Sequence, residues 1–300
     1  MKMEGLTIAI SVSDAPDRAK LGLPAREVDR AVLTICTTLI REGADILYAG
    51  NLSPTQYTFK IFRHLAGAYA GAREHPPFLH MIPEPIARRV TFDALHEALT
   101  ESGPIARTRI SIGDQLVPVR TTGPSLLLGA EASLRTKVSD QAGWQNWLST
   151  HPVSSVPQAY TTARQAMAAE ADARVVLGGK MGVLTSPNDQ YEGVMPGIAE
   201  EAILTLEAAR PLVVLGAFGG AGRDIAIALG LLDANRMVPR GAQQTGYSEA
   251  MAHVSALAHR IPSSVKPALQ SIADDDRGEP TAFAIADVII AWRAASSATL

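Results

Sequence analysis

The sequence predicts an α/β fold: a modified Rossmann-like, mainly parallel sheet with helices on both faces, plus a C-terminal helical extension. Two patterns predict it. Short apolar runs of strand length alternate with segments whose apolar residues recur at helical spacing, the pattern of βαβ crossovers. Glycine follows several of those runs, and the next helix opens close behind it. At 300 residues and 47% hydrophobic, the chain also has enough apolar material for a sizeable core.

Taken in order, Thr7 to Val12 is a buried strand that feeds the turn Ser13-Asp14-Ala15-Pro16-Asp17. Pro24 opens a helix whose packed face carries Val28, Ala31, Val32, Ile35, Cys36 and Leu39. Asp45 to Ala49 is the second strand, ending in Gly50-Asn51. Ser53 there caps a helix that Pro54 begins and that runs to about Tyr69. Phe78 to Ile82 is the third strand. Arg109 to Ile112 and Gln115 to Val119 flank Gly113-Asp114 as a hairpin with a primed turn. Residues 132–148 and 156–171 are expected to be helical. The alternation then resumes with a strand at Arg174 to Leu177, a glycine-rich loop over 178–197 and a helix over 197–209. A strand from Pro211 to Ala217 follows, then the turn Gly219-Gly220-Ala221-Gly222 and a helix to about Leu231. After Asp233 only helices are expected, over 247–260 and 281–295, so the domain reading is 1–234 with an extension over 235–300.

The composition excludes several functions. A formal net charge of -3 gives no electrostatic footprint for duplex nucleic acid. No apolar run approaches the roughly 20 residues of a membrane span, and Met1 to Gly5 is too short and mixed for a signal peptide. The single cysteine, Cys36, excludes an internal disulfide and suits a reducing, cytoplasmic compartment. The seven histidines stand at no metal-ligand spacing with one another or with Cys36, so no metal is expected; no resident cofactor is expected either.

The chemistry concentrates in the glycine loops. Gly178-Gly179-Lys180 directly follows a buried strand, where backbone N–H groups approach a ligand closely and Lys180 supplies a mobile cation. Pro196-Gly197 opens a helix whose N-terminus is a ready anion site. Glu200 and Glu201 in its first turn stabilise the helix dipole, or one of them contacts ribose or assists cleavage at a ribosyl carbon. They point about 100° apart, so only one faces a given site. G-x-x-x-x-G-K-[ST] is absent around Lys180, and Gly216 to Gly222 does not fit G-x-G-x-x-G. Three strand ends followed by glycine should lie on one edge of a parallel sheet, where open α/β sheets bind ligands.

These residues resemble the SLOG superfamily, which includes the Lonely Guy phosphoribohydrolases and the nucleotide-sensing domains beside TIR and sirtuin domains in bacterial antiphage systems. The resemblance covers about residues 6–232 and rests on ISVSDAPD, ILYAGNL, VVLGGKMG, YEGVMPGIAEEA and PLVVLGAFGGAGRDIA. It implies a binder of an NAD- or ADP-ribose-derived nucleotide that forms homo-oligomers and controls an effector domain or protein. Carried onto this chain, Gly178, Gly179 and Lys180 line the phosphate and ribose region, and Ser13, Asp14, Gly50, Asn51, Gly219 and Gly220 are expected to complete the binding residues. Glu192, Pro196, Gly197 and Glu201 correspond to the helix-opening motif. In the hydrolases that motif is P-G-G-x-G-T-x-x-E, whereas Ile198-Ala199 stand here in place of the further glycine and threonine. The expectation is therefore a sensor, with an N-ribosyl hydrolase using Glu200 or Glu201 as the rival.

Overall fold

The computed structural model describes residues 1–52, 57–69 and 75–297; Ser53 and Pro54, the expected cap and first residue of the second helix, lie outside them. In chain order the elements begin β1 (Thr7–Ser13), α1 (Ala25–Arg41), β2 (Asp45–Ala49), α2 (Tyr57–Tyr69), β3 (Phe78–Pro83), α3 (Glu84–Arg89) and α4 (Phe92–Ser102). Next come β4 (Ala106–Ile112), β5 (Gln115–Thr122), β6 (Ser125–Leu128), β7 (Thr136–Val138), α5 (Gln141–Ser149) and α6 (Val156–Glu170). The last are β8 (Ala173–Gly178), α7 (Gly197–Glu207), β9 (Leu212–Leu215), α8 (Gly220–Ala228), α9 (Tyr247–Ala256), α10 (Lys266–Ala273) and α11 (Gly278–Ser297). The fold is α/β and Rossmann-like, as the alternation of apolar runs predicts. It divides into two compact units, Met1–Ala44 with Ala168–Leu300, and Asp45–Met167.

In the first unit β1, β8 and β9 pair in parallel, with β8 in the middle. Every residue of β8 and β9 is buried, as expected of parallel strands covered on both faces. Ser13 stands opposite Gly178 and Leu177 opposite Leu215, so the carboxyl ends of all three strands lie level. Helices α7 and α8 pack on these strands, α10 and α11 pack on β9, and α11 lies along α1. The cover includes Ile285, Ile289 and Trp292 of α11, each at most 1% exposed. Arg174 is the exception in this apolar sheet. Its fully buried side chain donates to Ser11 Oγ at 2.7 Å and Thr205 Oγ1 at 2.9 Å.

The second unit orders its strands β2-β3-β4-β5-β6-β7, with the first three parallel and the rest antiparallel. The β4–β5 hairpin turns at Gly113, whose φ of 57° fits the first position of a primed turn. One expectation is corrected here. Residues 132–148 are not a single helix: a 3-10 turn over Ala132–Leu134 precedes β7, and only α5 is helical. The cause is local. The Asp140 carboxylate accepts from Gly143 N–H at 2.7 Å and starts α5 there, which leaves Thr136–Val138 to pair with β6. Trp144 and Trp147 stack at 5.2 Å under this sheet.

Candidate functional site

The carboxyl end of β8 is built from glycines that could not be anything else. Gly178 and Gly179 have φ of 67° and 110°. A Cβ on Gly178 would stand 2.3 Å from the Ser13 carbonyl, and one on Gly179 would stand 2.9 Å from Ile198 of α7. The turn is thus wedged between β1 and the first turn of α7, and its backbone is as close to them as a backbone can come. Gly179 N–H donates to Ser13 C=O at 3.0 Å, which fixes the turn to the neighbouring strand. Lys180 is the first exposed residue, and its ammonium donates to the Gln190 carbonyl at 2.7 Å.

The two helices that face this turn differ at their N-termini. Pro196 precedes α7 and supplies no side-chain cap, and the first helical bond runs from Glu200 N–H to Pro196 C=O at 3.0 Å. The amides of Gly197, Ile198 and Ala199 precede that bond, and with the helix dipole they form the anion-attracting end. The end of α8 is already closed. Asp17, from the loop after β1, is 5% exposed and accepts Gly220 N–H at 2.7 Å, while Ala221 N–H donates to Gly179 C=O at 3.2 Å. Gly219 and Gly220 have φ of 76° and 61° and leave no room for a Cβ, which would come within 2.6 Å of Asp17 Oδ1 and 2.2 Å of Gly179 O respectively.

The long connection over 178–197 is folded upon a buried carboxylate. Asp189 accepts from Met181 N–H at 2.9 Å and Val183 N–H at 2.7 Å. Burial pushes its carboxyl above the usual range, against the pull of those two amides and of Lys180. Asp224 of α8 is also held up by burial, although Tyr247 OH and Arg240 both donate to its Oδ2. The negative charge of Asp17 adds to both shifts. Among the described residues no group of three His, Cys, Asp or Glu is arranged to hold a metal ion.

The two glutamates have different surroundings. Glu201 lies against β1 and β8, where its Oε2 accepts from Ser11 Oγ and, at 2.9 Å, from Arg174 Nη1. It is the charge partner of a fully buried guanidinium. Glu200 is 6% exposed in the first turn of α7. Ser13 ends β1 beside the turn, and Asp14 is exposed just beyond it. Glu192 is exposed on the loop, and Pro196 is buried where the helix opens. Gly50 and Asn51 follow β2 in the second unit. A Cβ on Gly50 would lie 2.4 Å from both Thr58 Oγ1 and Tyr48, so close packing within that unit by itself requires the glycine. Near it His80 is buried against Phe62 and Phe78, and burial lowers its imidazole to about 4.

Local pattern did not reveal Asp17, Arg174, Asp189 or Asp224 as site-shaping groups. A charged residue inside the apolar run Ala173–Gly178 was the one available signal for Arg174. Asp17 pairs with an amide 203 residues away, which no local spacing encodes.

The family described as SLOG cluster2 matches residues 2–117 and 128–266, and the chain belongs to that family. Its domains are nucleotide-related. No curated protein matches the chain. No described helix is long and apolar enough to cross a membrane.

Proposed function

We propose that this member of the SLOG cluster2 family binds a phosphate-bearing nucleotide of the NAD or ADP-ribose class and acts as a sensor that controls an effector, in bacterial defence. The phosphate lies on the N-terminus of α7 with Lys180 beside it. The observation that carries this reading is the contrast between the two helix ends at the glycine turn. Pro196 gives α7 no side-chain cap, whereas the Asp17 carboxylate caps α8. The ribose hydroxyls pair with groups on the rim, donating to the Asp14 carboxylate and bonding the Ser13 hydroxyl. Self-association and an effector on a further domain or a separate chain complete the proposal.

The rival is an N-ribosyl hydrolase, which needs a carboxylate at the ribosyl carbon. Engagement of Glu201 with Arg174 and Ser11 counts against it for that residue. Glu200 remains the one acid of the pair for that role. The test is incubation with NAD, ADP-ribose, cyclic ADP-ribose isomers and nucleoside monophosphates, with thermal shift and product chromatography on the same samples. A sensor gives stabilisation without free base, and Lys180→Ala weakens that stabilisation while the unliganded protein melts as wild type does. Release of free base by wild type that is lost in Glu200→Gln overturns the sensor in favour of the hydrolase.

A further inference from the structure

We infer that residues 239–247, outside the glycine loops, are part of the ligand-binding loop and carry its state to α9. The inference rests on the reading that residues 178–197 hold the nucleotide. The two stretches are laced together. Leu184 N–H donates to Ala242 C=O and Gln244 N–H to Gly182 C=O, both at 2.8 Å, and Val183 forms an antiparallel bridge with Gln243. Side chains repeat the lacing. Gln243 Nε2 donates to Met181 C=O at 2.9 Å, Gln244 Oε1 accepts Tyr191 N–H at 2.9 Å, and Tyr191 OH donates to Thr245 C=O at 2.9 Å. Under this lattice Met181, Ala221 and Tyr247 form their own apolar cluster, with Val183, Tyr191 and Met251 against it.

The far side of the strap is anchored on α8. Arg240 pairs with Asp224, its guanidinium lies 5.6 Å from the centre of the Tyr247 ring, and Tyr247 OH donates to the same carboxylate. Tyr247 is the first residue of α9. Moving the loop therefore drags the strap, and the strap ends in the first turn of that helix. The laced middle of the strap and its anchor on α8 also differ in stability. Gln243, Gln244 and Tyr191 are half-buried and Thr245 is exposed, whereas Asp224 and Tyr247 are 4% and 3% exposed. Hydrogen bonds near water open at low cost and buried ones do not. The laced middle of the strap is thus the part that opens first, and the buried Asp224–Tyr247 contact is the joint that passes the change to the first turn of α9.

Hydrogen exchange on the full chain tests this, in wild type, Gln244→Ala and Arg240→Lys, each with and without ADP-ribose. Gln244→Ala removes the side-chain lacing at Tyr191 alone. Without ligand it is expected to speed exchange over 181–191 about tenfold, since one or two hydrogen bonds are lost, and to leave α1 unchanged. With ADP-ribose, wild type should slow exchange over both 181–191 and 247–256. Gln244→Ala should keep the first effect and lose the second, a separation that a purely structural brace would not give. Arg240→Lys should reduce the protection of 247–256 in the same way. Unchanged exchange over 181–191 in ligand-free Gln244→Ala overturns the lacing. Protection of 181–191 without any change over 247–256 in wild type overturns the relay. If ADP-ribose protects nothing in wild type, the ligand reading falls, and the ligand-free comparison still decides the lacing.

Discussion

Helices α7 and α8 both open beside the glycine turn that ends β8, yet Asp17 caps the N-terminus of α8 while Pro196 gives that of α7 no side-chain cap. At α8 the protein has filled the anion seat with Asp17, and Gly219 and Gly220 exist to let that carboxylate and the β8 turn come close. At α7 the glycine turn packs against Ile198 but brings no acidic cap, and Pro196 cannot supply one. A glycine-rich turn is therefore a statement about close approach, and what approaches is decided elsewhere in the chain. Here a residue of the β1 loop decides it for α8.

The largest effect expected from breaking this arrangement is at Glu201→Ala. It leaves the buried Arg174 guanidinium without its carboxylate, and loss of one partner of such a pair costs on the order of 3–5 kcal/mol. Denaturant unfolding measures it. A loss below about 1 kcal/mol would mean that Glu201 is free for other work, and the division of labour between it and Glu200 would dissolve.

Gly220→Ala comes next. The residue has φ of 61°, and its Cβ would meet Gly179 O at 2.2 Å, so a loss of about 3 kcal/mol or more is expected. The same substitution at Gly197, which opens α7 and has no such φ, is expected to be mild by comparison. Equal losses at the two sites would erase the distinction between the helix ends.

Asp17→Ala is smaller, at about 1–2 kcal/mol, because it removes a helix cap and leaves the Gly220 amide unpaired. Asp17→Asn keeps an acceptor in place and should recover most of that loss in a thermal melt. If both variants unfold like wild type, Asp17 is not the group that closes α8.

Much of the fold was legible because it is periodic. The runs at β1, β2, β8 and β9 are apolar, short and bounded by turn residues, and α1 shows one unbroken apolar face. The opening of α7 at Pro196-Gly197 was legible for the same local reason. Strand β7 was not. Its three residues are a weak signal beside Trp144, Trp147 and Leu148, whose spacing suits the helix that does follow. Helices α3 and α4 went unread between the third strand and the hairpin, and α3 carries Pro85 in its first turn, where a proline is tolerated but resembles a turn signal. The glycines of the site were legible as positions of close approach, but their partners were not. Asp17 on Gly220, Glu201 on Arg174 and Gln244 on Tyr191 are joined across 203, 27 and 53 positions of sequence. Local pattern shows which residues permit close packing, and only the assembled sheet shows which carboxylate fills the space.

The most direct test of the account follows backbone amides by NMR as the chain is titrated with ADP-ribose. The amides of Gly197, Ile198 and Ala199 are expected to shift together with Lys180, while Gly220 and Ala221, already bonded to Asp17 and Gly179, stay in place. Shifts at Gly220 and Ala221 with still amides at Gly197 to Ala199 would contradict it.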